Sequence, residues 1–236
     1  MPRLVAEGVT KSFPVNGTRL RAVDEVSFEI ERGEFVSIIG HSGSGKTTLL
    51  SIVGGLSKPS AGRVLFDGRD VYSLDSDALS EYRCENIGFV FQFASLLPVL
   101  TAKENLLLPV GFRNTRLPAD EAEERALELL TLVGLREKVD AYPSQMSGGQ
   151  QRRVAIARAF MNRPELILAD EPTGDLDEET EAEVMKVFMT MNERWQTTFL
   201  MVTHNTELAR QAKRQMKMHN GSMRELMAPA SGVRRR

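Results

Sequence analysis

Eight residues constrain this chain more than any others. Gly40-His41-Ser42-Gly43-Ser44-Gly45-Lys46-Thr47 fits the pattern G-x-x-x-x-G-K-[ST] at every position. That pattern works in one local architecture: a strand, a tight loop, then a helix. Glycines let the backbone curl until successive N–H groups point inward, and the helix that follows adds partial positive charge at its N-terminus. The flanks agree. Glu34-Phe35-Val36-Ser37-Ile38-Ile39 reads as a buried strand, and Thr48-Leu49-Leu50-Ser51-Ile52-Val53 as the first turns of a helix. The loop from Gly40 to Thr48 is therefore expected to cradle phosphates. Lys46 reaches the terminal phosphates in such a loop, and the Thr47 hydroxyl holds Mg²⁺. The implied ligand is a nucleoside triphosphate.

Composition narrows the setting. The 236 residues suffice for one large domain, and 42% hydrophobic content supports a packed core. A formal net charge of −2 gives no general electrostatic case for nucleic acid as a partner. The closing Arg234-Arg235-Arg236 reads as a solvated end. No apolar stretch approaches the roughly 18 residues of a membrane span, so if the protein works at a membrane another chain supplies the span. No secretory leader is expected, since charge interrupts the opening Met1-Pro2-Arg3-Leu4-Val5-Ala6-Glu7 before an apolar region forms. The single cysteine, Cys84, fits a reducing compartment and reads as a small buried hydrophobe.

Along the chain, strand signals come first. Leu4-Val5-Ala6, a turn at Asn16-Gly17, and the alternating Val26-Ser27-Phe28-Glu29-Ile30 predict an N-terminal antiparallel β layer. Gly62 to Gly68 ends in an Asp-Gly hairpin signal. Ile87-Gly88-Phe89-Val90-Phe91 is a further short strand. The texture then turns helical. Thr101-Ala102-Lys103-Glu104 is a capping box, and residues 118–133 carry proline and acids first and leucines later. Further helices are predicted at 150–161 and 178–193, and buried strands at Leu166–Asp170 and Thr198–Val202. Asn220-Gly221 marks a hairpin between Met216 and Met223. Strands alternating with helices predict an α/β fold with a parallel central sheet. A helical segment, residues 93–146, is inserted between 1–92 and 147–236.

Three further sites carry chemistry. Leu166-Ile167-Leu168-Ala169-Asp170-Glu171 is an apolar strand ending in two acids, and active groups gather at the carboxyl ends of parallel strands. There Asp170 can bind Mg²⁺ and Glu171 can polarise an attacking water. Ser147-Gly148-Gly149-Gln150 opens a helix and forms either a second anion cradle or simply a capped helix start. One γ-phosphate does not need two cradles from one chain, which points to a second protomer. His204 follows the strand at Thr198–Val202, where an imidazole could bond the γ-phosphate.

Taken in order, Gly40–Thr47, Phe91-Gln92, Ser147–Gln150, Asp170-Glu171, Gly174-Asp175-Leu176-Asp177 and His204 resemble the ATP-binding cassette (ABC) ATPases across nearly the whole chain. The resemblance implies a single P-loop NTPase domain with a RecA-like core, that β layer and that helical subdomain. It implies an ATPase in which Lys46, Gln92, Glu171 and His204 are catalytic. It assigns Mg²⁺ to Thr47, Gln92 and Asp170, and adenine stacking to Phe13, where tyrosine is commoner. The nucleotide contacts are His41, Ser42, Gly43, Ser44, Gly45 and Thr48 with the rest of the loop. Ser147, Gly148, Gly149, Gln150 and Asp177 complete the site from a second copy. Met146 stands where leucine usually precedes the signature. The implied partners are a second copy, on ATP binding, and an integral membrane permease; the implied location is the cytoplasmic face of the cell membrane. Phe91 to Pro98, Leu100 to Asn105 and Asp170 to Asp177 resemble the branch of lipoprotein-releasing, macrolide-export and cell-division subunits. That branch implies export or extraction. The alternative within it is a mechanical regulator of a membrane partner that controls cell-wall hydrolases.

Overall fold

Alternating burial organises the first layer. The computed structural model describes residues 2–15, 17–113, 117–174 and 176–226. Strands β1 (Leu4–Val15) and β2 (Thr18–Ile30) pair antiparallel, from Leu4↔Ile30 to Val15↔Thr18. β1 is much longer than Leu4-Val5-Ala6, because polar residues beyond Ala6 are carried by ladder bonds rather than by burial. β4 (Ala61–Phe66) pairs with the other edge of β1, and Asp67-Gly68 turns the chain into β5 (Arg69–Asp70). The sheet order is β2-β1-β4-β5, the expected antiparallel layer.

The chain divides into two compact units. One is formed by residues up to Tyr72 and from Leu200 onward, the other by Ser73–Phe199. The first unit holds the antiparallel layer, β3 (Phe35–Ile39), α1 (Lys46–Val53), the end of β8 (Thr198–Thr203), the single turn α7 (Thr206–Ala209), and the hairpin β9 (Arg214–His219) and β10 (Ser222–Leu226). All five residues of β3 are buried, as expected of a strand covered on both faces. β9 runs parallel to β3, with Ile39 opposite Lys217. Asn220 (φ 48°) and Gly221 (φ 81°) make the predicted hairpin turn, both at the positive φ that a two-residue turn requires.

The second unit holds α2 (Ser76–Asn86), β6 (Ile87–Val90), α3 (Ala102–Leu107), α4 (Ala119–Leu132), α5 (Gly148–Ala159), β7 (Leu166–Asp170) and α6 (Glu178–Trp195). β6 and β7 pair parallel, Ile87↔Leu166 through Val90↔Ala169. The core of this unit centres on Phe160, Phe188 and Phe199, with ring centroids 5.4–5.9 Å apart. The buried Arg125 guanidinium stacks 4.4 Å over Trp195. The Thr101 capping box at α3 is present on both sides, its hydroxyl accepting from Glu104 N–H.

Several expectations shift. α5 starts two residues before the predicted 150, because Ser147 caps it. Helix α2 has no counterpart in the sequence reading: of its side chains only Tyr82 is buried, so it leaves no apolar stripe. Cys84 is half-buried rather than buried. Desolvation is the main reason its thiol pKa lies above the ordinary range. Asn16 of the first turn, Asp175 of the Gly174–Asp177 run and the Arg234–Arg236 end lie outside the described residues.

Candidate nucleotide site

The phosphate loop hangs between β3 and α1. Gly40 N–H donates to Thr203 O (3.4 Å), which ties the start of the loop to the end of β8. Within the loop, Ser44 N–H donates to His41 O (3.2 Å); Gly221 N–H, from the hairpin tip, donates to Ser44 O (3.0 Å). Gly45 is the N-cap of α1 at φ +105°, and no side chain caps the helix. The first turn therefore presents its N–H groups to whatever anion the loop admits. Gly45 cannot be replaced cheaply: a Cβ there would lie 2.0 Å from Ala22 O. Among the described residues the buried Ser44 hydroxyl has no hydrogen-bond partner. Lys46 is buried, and its Nζ donates to Gly40 O (2.7 Å) and His41 O (3.1 Å). Its ammonium is thus held at the loop rather than out in solvent. His41, Ser42, Gly43 and Thr47 are exposed, and Thr48 is intermediate.

Two other predicted residues belong to this unit. Phe13 lies on β1, 40% exposed, with Lys11 Nζ 5.4 Å from its ring centroid. One aromatic face thus already meets a cation. His204 is exposed and directly follows Thr203, the residue whose carbonyl receives Gly40 N–H. β8 therefore delivers the histidine beside the root of the loop. Asn205 then caps α7 through Leu208 N–H (3.3 Å).

The remaining predicted residues belong to the second unit. Asp170 closes β7 and is 9% exposed. Glu171 adopts φ +45°, an uncommon conformation for a residue with a Cβ. Gly174 N–H donates to Glu171 O (3.0 Å) and closes the turn that holds it there. The two adjacent acids thus leave the strand in different backbone conformations. Gln92 is exposed just after β6, and its peptide is fixed by a residue not singled out from the sequence. Buried Arg152, on α5, donates to the carbonyls of Phe91 and Gln92 and, at 3.4 Å, to Gly174 O. One guanidinium therefore spans the glutamine segment and the turn after Glu171. Its neighbour Arg153 is similar in sequence, so nothing local marks Arg152 as the buried one.

Ser147 is a true N-cap: Gln150 N–H donates to its hydroxyl (3.2 Å), and Ser147 N–H donates to Gln150 Oε1 (3.0 Å). The two glycines behind it differ. A Cβ on Gly148 would meet nothing within 4 Å, so that end of α5 is open. A Cβ on Gly149 would come 2.5 Å from Thr180 Cγ2, so Gly149 is needed for close packing against α6. Thr180 is in turn held by Asp177, which accepts from Thr180 N–H (3.0 Å) and Oγ1 (2.7 Å). Those bonds, backbone first and side chain second, hold the Asp177 pKa below the ordinary aspartate value. Gly149, Thr180 and Asp177 thus form one packed group, and Gly148 stands outside it.

Known proteins resemble this chain closely. The ABC transporter family profile matches residues 23–174. The lipoprotein-releasing system ATP-binding protein LolD of Bacteroides thetaiotaomicron is 43% identical over 219 residues, covering 93% of this chain and 98% of LolD. The macrolide export ATP-binding/permease protein MacB of Syntrophobacter fumaroxidans is 41% identical over 99% of this chain, which spans only 32% of MacB. Among solved structures, the dimeric ATP-binding cassette MJ0796, in a post-hydrolysis state with ADP and Pi, superposes with a TM-score of 0.87. It is 40% identical, covering 96% of this chain and 100% of MJ0796.

Proposed function

The chain belongs to the ABC transporter family of ATP-binding cassettes, and from that membership we propose that it drives a separate membrane permease. The chain is an ATPase. Its proposed partners are that permease and a second copy of itself, the latter engaged on ATP binding. Among the described residues no helix is long and apolar enough to cross a membrane. The proposed location is the cytoplasmic face of the cell membrane. The names of LolD and MacB, lipoprotein release and macrolide export, support substrate movement out of or away from that membrane. Residues 93–146 are proposed as the helical subdomain, set into a core of 1–92 and 147–236.

In the proposed reaction, the phosphates lie in the loop from Gly40 to Thr48 and on the N-terminus of α1, while Phe13 stacks on adenine. Lys46 exchanges the carbonyls of Gly40 and His41 for phosphate oxygens, countering charge as the phosphoryl group transfers. Glu171 orients the attacking water, and His204 donates to the γ-phosphate. A metal donor set of Thr47 hydroxyl, Gln92 amide oxygen and Asp170 carboxylate is all oxygen, which suits Mg²⁺. When bound there, Mg²⁺ neutralises phosphate charge. Ser147–Gln150 and Asp177 of the second copy close the site in trans, through the open end of α5 at Gly148.

One observation carries the permease assignment. The segment after Gln92 exposes large apolar side chains: Phe93 is 71% exposed, Leu97 46% and Val99 77%. Its backbone is nevertheless held in place, with Leu97 N–H donating to the buried Asn105 side chain (2.8 Å). An ordered, exposed apolar run beside a nucleotide-contacting glutamine suits a docking surface that reports nucleotide state. The test is Leu97→Glu in the two-component complex. The isolated subunit is expected to keep its fold and basal ATPase while losing co-purification with the permease. Unchanged co-purification, or unfolding of the variant on its own, refutes the assignment.

A further inference from the structure

The β9–β10 hairpin carries charge that its own fold does not balance. Lys217 and Arg224 stand directly opposite each other in the antiparallel pair, as do His219 and Ser222. Opposed like charges destabilise a ladder. The nearest acid in sequence, Glu225, is already engaged by Arg214 through two bonds (2.7 and 2.9 Å). Among the described residues neither Lys217 nor Arg224 has an ion pair or a side-chain hydrogen bond. Lys217, Arg224, His219 and Ser222 line a cavity of about 490 Å³ together with His41 and Met223. That volume lies in the range of small-molecule sites. An ammonium, a guanidinium, two imidazoles and a hydroxyl supply many donors, and no carboxylate lines the wall.

We propose that this cavity is a second anion site, which takes a phosphate-bearing ligand with at least two negative charges. Such a ligand relieves the Lys217–Arg224 repulsion and pairs with the ammonium and guanidinium donors set in an otherwise largely apolar wall. The pocket is open to solvent, with His41, His219, Ser222 and Arg224 all exposed, and its size admits a small phosphorylated molecule or a lipid headgroup. The site shares His41 with the nucleotide contacts implied by the family resemblance, but not Lys46, Thr47 or Phe13, and it is joined to the nucleotide loop at two points. His41 lines the cavity, and its carbonyl accepts from Lys46 Nζ (3.1 Å). Gly221, at the hairpin tip between His219 and Ser222, bonds Ser44 O (3.0 Å). Occupancy of the cavity therefore bears on the loop that positions Lys46. The inference concerns a site apart from the permease reading and stands without it.

The test uses the full chain with its nucleotide loop saturated by Mg²⁺ and a non-hydrolysable ATP analogue. Inorganic pyrophosphate is then titrated calorimetrically. One pyrophosphate per loaded chain is expected. Lys217→Gln/Arg224→Gln should weaken it at least about tenfold, the scale of losing charge-assisted hydrogen bonds, with analogue affinity unchanged. The double variant should melt no lower than the parent, since it removes a repulsive pair. If it does melt lower, Arg224→Gln alone, at an exposed position, takes its place in the titration. Sedimentation with phosphatidic acid vesicles separates the sources: co-sedimentation that the variant loses identifies a lipid headgroup, and pyrophosphate binding without co-sedimentation identifies a free phosphorylated molecule. The proposal is overturned if loaded chain binds no pyrophosphate, if parent and variant bind it equally, or if a glutamate-rich peptide binds more tightly than pyrophosphate. Failure of the analogue itself to bind would strike the nucleotide site instead.

Discussion

Gly43 and Gly45 lie two residues apart in the phosphate loop, both at positive φ (+76° and +105°), and alanine should separate them sharply. A Cβ on Gly43 would meet nothing within 4 Å. Gly43→Ala then costs only the left-handed backbone conformation, about 1–2 kcal/mol. Reduced freedom of the unfolded chain offsets about 0.4–1 kcal/mol of that. The net loss is at most about 1.6 kcal/mol, a fall in melting temperature of at most roughly 6 °C for a chain of this size. Gly45→Ala carries at least that backbone cost, its φ lying farther from the left-handed well, and adds a collision. Its Cβ would stand 2.0 Å from Ala22 O and 2.7 Å from Met218 Cε. The methionine can swing away, but the Ala22 carbonyl belongs to β2 and can retreat only with its strand. A contact that short forces β2 or α1 to move by about an ångström, placing the loss in the exceptional class above about 4 kcal/mol. The expected fall in melting temperature is then at least about 8 °C. Calorimetric melts of both variants without nucleotide, alongside ATP-binding titrations, make the comparison. Gly43→Ala should keep a measurable nucleotide affinity and Gly45→Ala should lose it. Equal melting temperatures for the two would refute the argument, because backbone strain alone would then explain both.

Two further outcomes are expected. Glu171→Gln removes the carboxylate proposed to orient water and leaves the phosphate loop unchanged, so the variant should bind ATP, fail to hydrolyse it and elute at doubled mass on size exclusion with ATP; a monomer at saturating ATP counts against the proposed pairing with a second copy. Asp177→Asn keeps a capping oxygen on α6 but removes the charge. The folded-state pKa of Asp177 lies below the unfolded value, so its carboxylate adds stability above the ordinary aspartate range and loses it as pH falls through the lowered folded value. Parent and variant should differ most near neutral pH and converge under acid; a gap independent of pH across that window would refute the assignment.

Much of the nucleotide site was legible because its information is local. Strand, loop and helix around Gly40–Thr47 follow from residues within a few positions of one another. The same holds for the Thr101 and Ser147 caps, the Asn220-Gly221 turn and the acids that end β7. Short-range hydrogen bonds and backbone preferences decide each of them. The resemblance to ABC ATPases then supplied roles that spacing alone left open, such as those of Gln92 and Phe13.

Other features required the folded chain. Helix α2 has too small a buried face to leave a periodic pattern, so packing reveals what hydropathy does not. Arg152 and Arg153 are indistinguishable in sequence. Only the path of the chain brings the carbonyls of Phe91, Gln92 and Gly174 to the first of them, across separations of 22 to 61 residues. Gly148 and Gly149 are likewise adjacent and identical, but the approach of Thr180 makes one of them structural and leaves the other open. The strand register that sets Lys217 against Arg224 brings both into one cavity with His41. By itself the sequence determined which backbone geometries and chemical groups were present. Tertiary structure alone decided which distant groups meet, because register, burial and close approach depend on the whole chain path and leave no periodic signal along it.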